Sequence, residues 1–192
     1  MSQLTLNLDS VIQLDRPKFY QICQDNPELK LERTAEGNLI VMSPTGGETG
    51  RKNANLISQV GVWNEQKQLG ILFDSSTGFS LPNSADRSPD VAWLEKSRWE
   101  ALSPQQREGF IPLCPDFVIE LLSPTDNLKK TQAKLQEYIA TGCQLGWLIH
   151  PKQKTVEIYR PNTETEILNA PSSLSGENVL FGFILDLRKI WS

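Results

Sequence analysis

The strongest constraint on the fold is residues 116–123, DFVIELLS, an apolar run with a carboxylate near its centre. Side chains alternate along a strand, so Glu120 shares one face with Val118 and Leu122, while the other face is wholly apolar. A run that is apolar on both faces is typical of a central strand covered on both sides. An ionised carboxylate there costs several kcal/mol, as an order of magnitude, unless a cation, a metal or donors compensate it. The segment therefore predicts both a buried sheet and a site at Glu120.

The residues after this strand predict a helix and a second strand. Ser123-Pro124-Thr125-Asp126 is a helix-start signal, Gly142 marks a helix end near Thr141, and Leu145 to His150 reads as a strand. A strand–helix–strand unit implies a parallel pair with a right-handed crossover.

The first half of the chain predicts a helix, a hairpin and then a long helix. Residues 15–25 have helical spacing, and residues 29–42 read as two strands around the turn Glu36-Gly37-Asn38. A helix over residues 48–69 should end at Gly70. With further strands before residue 95 and after residue 154, the expected class is α/β (α+β), a mixed sheet flanked by helices. We expect one domain over residues 1–192, with a core at about 29–160 and a C-terminal extension at 161–192.

Composition narrows the functional classes. A formal net charge of −4 argues against tight, sequence-independent nucleic-acid binding through bulk charge, although local clusters of cations stay compatible with a nuclease. No apolar window is long enough for a membrane span, and the first residues do not look like a signal peptide. The three cysteines are scattered and odd in number, which favours a reducing, cytoplasmic location.

Two carboxylates lie on or at the ends of apolar strands, Asp90 directly after Pro89 and Glu120. Adjacent strands would bring them together, and two acidic oxygen ligands at a sheet end suit Mg²⁺ or Mn²⁺ completed by waters and a substrate phosphate. The alternative is structural: Asp90 caps a strand, and Glu120 is a core acid neutralised by a lysine.

The helix after Glu120 supplies a candidate cation. Its buried stripe should contain Leu128, Leu135 and Ile139, with Lys134 and Tyr138 at i and i+4 on its flank. Lys134 can bury its stem and direct its ammonium toward Glu120, or extend into solvent as most helix lysines do.

Two further acids are candidates. Glu32 lies in a strand-like stretch, whereas Glu48 opens the long helix, where a carboxylate also suits the helix dipole. His150 is the only histidine, so a histidine-rich zinc site is excluded, and no nucleophile elbow, Walker motif or dinucleotide fingerprint occurs.

Four segments carry a family likeness: LERTAEGNLIVMSPTGGETGRKN, FDSSTGFSLPNSADRSPDVAW, CPDFVIELLSPTD and KLQEYIATGCQLGWLIHP. In order and spacing they resemble the Uma-type family of putative restriction endonucleases, once catalogued as a domain of unknown function within the PD-(D/E)XK nuclease superfamily. The likeness covers residues 29–191 and implies a restriction-endonuclease-like fold.

The resemblance implies a role for each site residue. Asp90 and Glu120 would be metal ligands, with the backbone carbonyl of Leu121 as a third. The motif's lysine would fall two residues after Glu120, where this chain has Leu122. A lysine on the following helix replaces it in divergent members, and Lys134 is similar to that arrangement. Glu32 and Glu48 match acidic positions of the family's N-terminal half, and Tyr138 would support Lys134 by packing.

The residues and the resemblance together predict a Mg²⁺- or Mn²⁺-dependent endonuclease with Asp90, Glu120 and Lys134 as catalytic residues. The resemblance alone implies that its substrate is DNA. The competing hypothesis is a catalytically impaired member that keeps the fold and acts as a binding or assembly module, as Leu122 and the acidic charge favour. We also expect a homodimer. The apolar segment from Val179 to Trp191 would contribute to the core or to a subunit contact.

Overall fold

The computed structural model describes residues 3–8 and 12–192, and these form thirteen strands and six helices. The strands are β1 (Gln3–Leu6), β2 (Lys30–Arg33), β3 (Leu39–Met42), β4 (Gly70–Asp74), β5 (Phe79–Ser80), β6 (Asp86–Arg87), β7 (Val91–Glu95), β8 (Phe117–Leu121), β9 (Leu145–His150), β10 (Thr155–Tyr159), β11 (Glu166–Asn169), β12 (Ser173–Ser175) and β13 (Ile184–Asp186). The helices are α1 (Arg16–Asp25), α2 (Gly47–Lys67), α3 (Lys96–Glu100), α4 (Pro104–Glu108), α5 (Leu128–Ala140) and α6 (Arg188–Trp191).

A six-stranded mixed sheet forms the centre of the fold, in the order β11-β10-β9-β8-β7-β4. Only β8 and β9 run parallel, joined by α5, and their neighbours pair antiparallel. This confirms the predicted mixed sheet between helices and the strand–helix–strand unit at its centre. It also places β8, the strand that carries Glu120, between two other strands.

Each face of this sheet is covered by its own layer. On one face, α2 and the C-terminal segment pack on Phe117, Ile119 and Leu121. On the other, Leu135 and Tyr138 of α5 pack against β7, β8 and β9. The strict alternation of β8 produces this division, because its side chains point to opposite layers.

A second, antiparallel sheet lies in the order β1-β3-β2-β6-β5. Asp86 of β6 connects this sheet to the N-terminal helix: its carboxylate is 2.8 Å from Nε of Arg33 and 3.1 Å from Nε of Arg16. The sequence predicts the β2–β3 hairpin but not its separation into a sheet of its own. The second sheet matters for the site because it carries Glu32 and Arg87.

The C-terminal segment packs against its own chain. Its residues Leu180, Phe183, Leu185 and Ile190 are fully or almost fully buried in the layer that contains α2. Phe181 and Ile184 are its exposed apolar residues, at 68% and 60%. The segment therefore contributes to the core.

Two predicted helix boundaries are wrong. Helix α2 ends at Lys67, with Gln68 in the left-handed region (φ 53°), and Gly70 begins β4 instead of ending the helix. A Cβ at Gly70 would lie 2.3 Å from the carbonyl oxygen of Leu94, so the close pairing of β4 requires glycine.

Helix α5 begins at Leu128, later than its predicted start signal. The Asp126 carboxylate accepts from the N–H of Ser123 at 2.8 Å and closes a turn instead. The side chain of Asn127 caps the helix by accepting from the N–H of Lys130 at 3.2 Å.

Candidate active site

Asp90 and Glu120 are brought together by the pairing of β7 with β8. Val91 lies opposite Ile119 in this antiparallel pair, so one further step along each strand places Asp90 beside Glu120. The Asp90 carboxylate is fixed on both oxygens: Oδ2 accepts from the N–H of Leu121 at 2.8 Å, and Oδ1 accepts from the side-chain amide of Asn53 at 3.1 Å. Both acids are buried, Asp90 at 6% exposure and Glu120 at 7%.

Lys134 of α5 reaches these acids. Its ammonium lies 2.7 Å from Oε1 of Glu120 and 2.8 Å from Oε1 of Glu32, and its side chain is buried. A close approach of helix and sheet makes this reach possible, because β9 has Gly146 where a Cβ would lie 2.8 Å from Leu135 Cδ1. Lys134 therefore does not extend into solvent, and it lies within the buried stripe of the helix rather than on its flank.

Glu32 is held from three directions. Besides Lys134, it accepts from the backbone N–H of Ser88 at 2.9 Å and lies 3.3 Å from Nη1 of Arg87. Arg87 in turn places its Nε 2.6 Å from the carboxylate of Glu137 on α5. A buried chain of alternating charges thus links the second sheet, through Glu32 and Arg87, to the helix that carries Lys134.

The two glutamates bound to Lys134 have opposite pKa shifts. Burial raises the pKa of Glu32, but the cations of Lys134 and Arg87 more than offset it and lower the pKa from 4.5 to about 2. Burial also raises the pKa of Glu120, and although Lys134 opposes this, the neighbouring charges of Asp90 and Glu32 add to it, so the pKa rises to about 7. Both carboxylates hold the pKa of Lys134 above its ordinary value against the effect of burial, so its ammonium stays charged at neutral pH.

A cavity of about 370 Å³ opens over these residues. Its lining includes six carboxylates (Glu32, Glu36, Asp90, Glu120, Asp126 and Glu137) and four cations (Lys30, Arg87, Lys130 and Lys134), a formal excess of two negative charges.

Asp90 and Glu120 are the two carboxylates of this cavity that could bind a divalent cation. The described residues contain no group of three or more histidine, cysteine, aspartate or glutamate side chains arranged to hold a metal ion. Mg²⁺, however, is ordinarily bound through one or two carboxylates together with waters and substrate phosphate. Asp90 and Glu120 supply two hard oxygen donors, Leu121 lines the same cavity, and the excess negative charge matches a divalent ion. The residues present fit such an ion.

The other predicted residues divide into two groups. Tyr138 belongs to the site: its hydroxyl donates to Glu120 Oε1 at 3.4 Å, and its ring centre is 5.8 Å from the Lys134 ammonium. Glu48 does not line the cavity; its side chain is 76% exposed and pairs with Arg51. Leu122, at the position of the motif lysine, is buried in the apolar layer beneath α5.

Arg87, Ser88, Asn53 and Glu137 also contribute to the site, although the sequence does not assign them to it. Arg87 and Ser88 could have been found from their position just before Pro89 and Asp90. Asn53 and Glu137 are polar helix residues without a sequence signal, and only the tertiary structure reveals their contacts with Asp90 and Arg87.

A mixed sheet between helices is the architecture expected of the restriction-endonuclease-like fold class. In this chain two paired acids lie at the sheet, and a helix lysine lies between buried carboxylates. The family model described as Uma2, putative restriction endonuclease, matches residues 16–188. The chain belongs to this family.

Comparison with solved structures agrees on the fold. The chain is similar to a putative nuclease belonging to DUF820 from Anabaena variabilis, with a TM-score of 0.72 and 24% sequence identity over 85% of this chain and 90% of that one. No curated protein sequence matches the chain. None of the helices in the described part of the chain is both long and apolar enough to cross a membrane.

Proposed function

We propose that this protein is a metal-dependent endonuclease that hydrolyses phosphodiester bonds in DNA. The observation that carries the proposal is the buried trio of Asp90, Glu120 and Lys134 in a cavity with two excess negative charges. Family membership supports nuclease activity. The divalent ion and the DNA substrate are inferred from the chemistry of the donors.

The side chains of the trio would have distinct roles. Asp90 and Glu120 would hold Mg²⁺ or Mn²⁺, with the backbone carbonyl of Leu121 as a third donor. A bound divalent ion lowers the pKa of a coordinated water and polarises the scissile phosphate. Lys134 keeps its proton at neutral pH, because two carboxylates raise its pKa, so it would act as a cation that orients the attacking water and stabilises developing negative charge. It would not act as a general base.

Metal binding is the first test. We expect calorimetric titration with Mn²⁺ to detect binding to the unaltered protein and none to Asp90→Asn, which keeps the size of the side chain and removes its charge. Glu48→Gln is the matched control, since it also removes one carboxylate but lies outside the cavity. If the unaltered protein takes up no Mn²⁺, the proposed function is wrong.

Cleavage is the second test. Plasmid and single-stranded DNA are incubated with Mg²⁺ or Mn²⁺, and the rate for Lys134→Met is expected to fall on the order of 100-fold, as on removal of one charge-stabilising donor. Lys129→Met on the exposed side of α5 is the matched control and should cleave normally. Cleavage that survives in Asp90→Asn would show that another site or a contaminant is responsible.

A second candidate function is binding without cleavage. Leu122 occupies the position of the motif lysine, and Lys134 already forms an ion pair with Glu120 without a metal. These observations favour a member that keeps the fold and acts as a binding or assembly module. It would bind DNA in the absence of metal and release no product in its presence, so the two assays separate the candidates.

We also infer a homodimer in the cytoplasm. Cutting both strands of a duplex with one site per chain often uses two copies. Light scattering of the purified protein tests the oligomeric state, and a monomer that still makes double-strand breaks would contradict this inference.

A further inference from the structure

A second hollow adjoins the candidate active site. Its volume is about 480 Å³, and it shares three lining residues, Thr49, Leu121 and Asp126, with the cavity over Asp90 and Glu120. The two hollows are therefore neighbours. The second lies at the carboxyl ends of the parallel strands β8 and β9, the edge at which open α/β sheets bind their ligands.

The second hollow contains lysines without an ion pair. In the first, the buried cations Lys134 and Arg87 are both paired with carboxylates, whereas Lys30 and Lys130 form no ion pair with a described residue. In the second, Lys52 and Lys152 form no ion pair with any residue that the structure describes. Both lysines are at least partly exposed, so their ammonium groups can meet a ligand.

The carboxylates of the second hollow have other hydrogen-bond partners. Glu48 pairs with Arg51, although the charge of Lys52 also acts on it, and Asp126 accepts from the N–H of Ser123. The lining has two lysines and two carboxylates, so its formal charge is zero. The formal charge thus changes from an excess of two negative charges in the cavity over Asp90 and Glu120 to a balance of charges in the hollow beside it.

His150 adds a hydrogen-bond donor. Its Nδ1 accepts from the backbone N–H of Gln153 at 3.0 Å. In a neutral imidazole the other nitrogen, Nε2, then carries the proton. Two lysines and one ring N–H are groups that bind phosphate oxygens.

We propose that this second hollow, the flanking subsite, binds the phosphate backbone of the nucleic-acid strand beside the scissile phosphodiester, through Lys52, Lys152 and His150. The inference rests on the proposed function and adds a location for the substrate. The negative cavity over Asp90 and Glu120 suits a metal but repels a phosphate chain, so a strand that enters it needs cations close by. The flanking subsite supplies them.

The test measures binding in a protein that cannot cleave. Asp90→Asn is the parent, and fluorescence anisotropy follows a labelled single-stranded oligodeoxynucleotide at several salt concentrations. Adding Lys52→Gln and Lys152→Gln should raise Kd on the order of tenfold near 0.1 M salt and reduce the salt slope by about 1.4, since each phosphate contact on a single strand contributes roughly 0.7. The control adds Lys67→Gln and Lys129→Gln, which remove the same charge from exposed lysines outside both hollows.

The outcomes separate the inference from the function. Equal weakening by both double variants would show that bulk charge alone matters, and no weakening by either would show that the strand does not contact the subsite; both overturn the inference. A parent that binds no oligonucleotide at all overturns the proposed function as well. In the cleaving protein, Lys52→Gln with Lys152→Gln should raise KM and leave kcat unchanged, because the lost contacts lie away from the reacting phosphate.

Discussion

Replacing Glu120 with glutamine should stabilise the metal-free protein above neutral pH, although it removes a partner of a buried ion pair. Glu120 is an acid whose pKa is higher in the folded chain than its ordinary value, about 7 against 4.5. Such a group contributes stability that is full below pH 4.5 and is lost as pH rises through 7. At pH 8 the Glu120 carboxylate is charged in the folded protein, and its surroundings disfavour this charge. Glutamine has the shape of the neutral, protonated glutamate. Lys134 keeps Glu32 as its counterion.

The magnitude follows from the shift. A difference of about 2.5 pH units at about 1.36 kcal/mol per unit gives about 3 kcal/mol at pH 8 and less than about 1 kcal/mol at pH 5. For a chain of this length, about 3 kcal/mol corresponds to a rise in Tm of roughly 6 to 12 °C. The gain should therefore grow with pH and reach its full size above pH 7.

Urea denaturation in the presence of a chelator, at pH 5 and pH 8, measures the effect. Glu32→Gln is the matched comparison, since Glu32 contacts the same ammonium and is also buried. Its pKa is lowered to about 2, so its contribution is present above pH 4.5 and is lost as pH falls toward 2. Glu32→Gln should therefore destabilise the protein by about 3 kcal/mol at pH 8.

The two substitutions should thus have opposite signs at one lysine. If Glu120→Gln destabilises the protein at pH 8 as Glu32→Gln does, attraction to Lys134 outweighs burial and repulsion from Asp90. A gain of equal size at pH 5 and pH 8 would also refute the reasoning, because the effect would then not come from ionisation.

Two further substitutions probe how the lysine is placed. Lys134→Met should cost about 3–5 kcal/mol in urea denaturation at pH 8, because it leaves two buried carboxylates without their shared cation, whereas Lys129→Met on the exposed side of the same helix should change stability by less than about 0.5 kcal/mol. Gly146→Ala should cost about 1–3 kcal/mol, since the new Cβ would lie 2.8 Å from Leu135 Cδ1 and the fully buried Leu135 side chain would have to shift. Gly47→Ala is its control, because a Cβ there meets no atom within 4 Å, and an equal loss at both glycines would contradict the packing argument.

The central sheet was predictable because its strands carry the pattern that burial requires. Residues 117–121 are apolar on both faces, and β8 is covered on both. Strand β6 was not predictable for the opposite reason. It has two residues, too few for a period, and its pairing with β2 joins Arg33 to Asp86 across fifty-three positions.

The candidate site was partly predictable for a related reason. An acid within an apolar strand requires compensation of its charge, so Glu120 could be predicted as a site residue. Helical spacing then predicted that Lys134 points toward it. Glu32 was a candidate as an acid in a strand-like stretch, but the sequence did not show its partners, which come from β6 and α5. Arg87 resembled a surface cation in the sequence, yet it is buried between Glu32 and Glu137. A sequence shows that a charge lacks local partners; it does not show which distant charge will reach it.

The contact between Lys134 and Glu120 explains how the chain can have leucine at position 122. Strand alternation places Leu122 on the same face as Glu120, and that face is covered by α5, so a cation from the helix can reach the acid that a strand lysine would otherwise meet. Leu122 then adds to the apolar layer on which the helix packs. Glu120 nevertheless stays only partly compensated, as its raised pKa reports. A chain selected for stability alone would have a neutral residue there, so the residual charge supports the proposal that a divalent ion is held at Glu120.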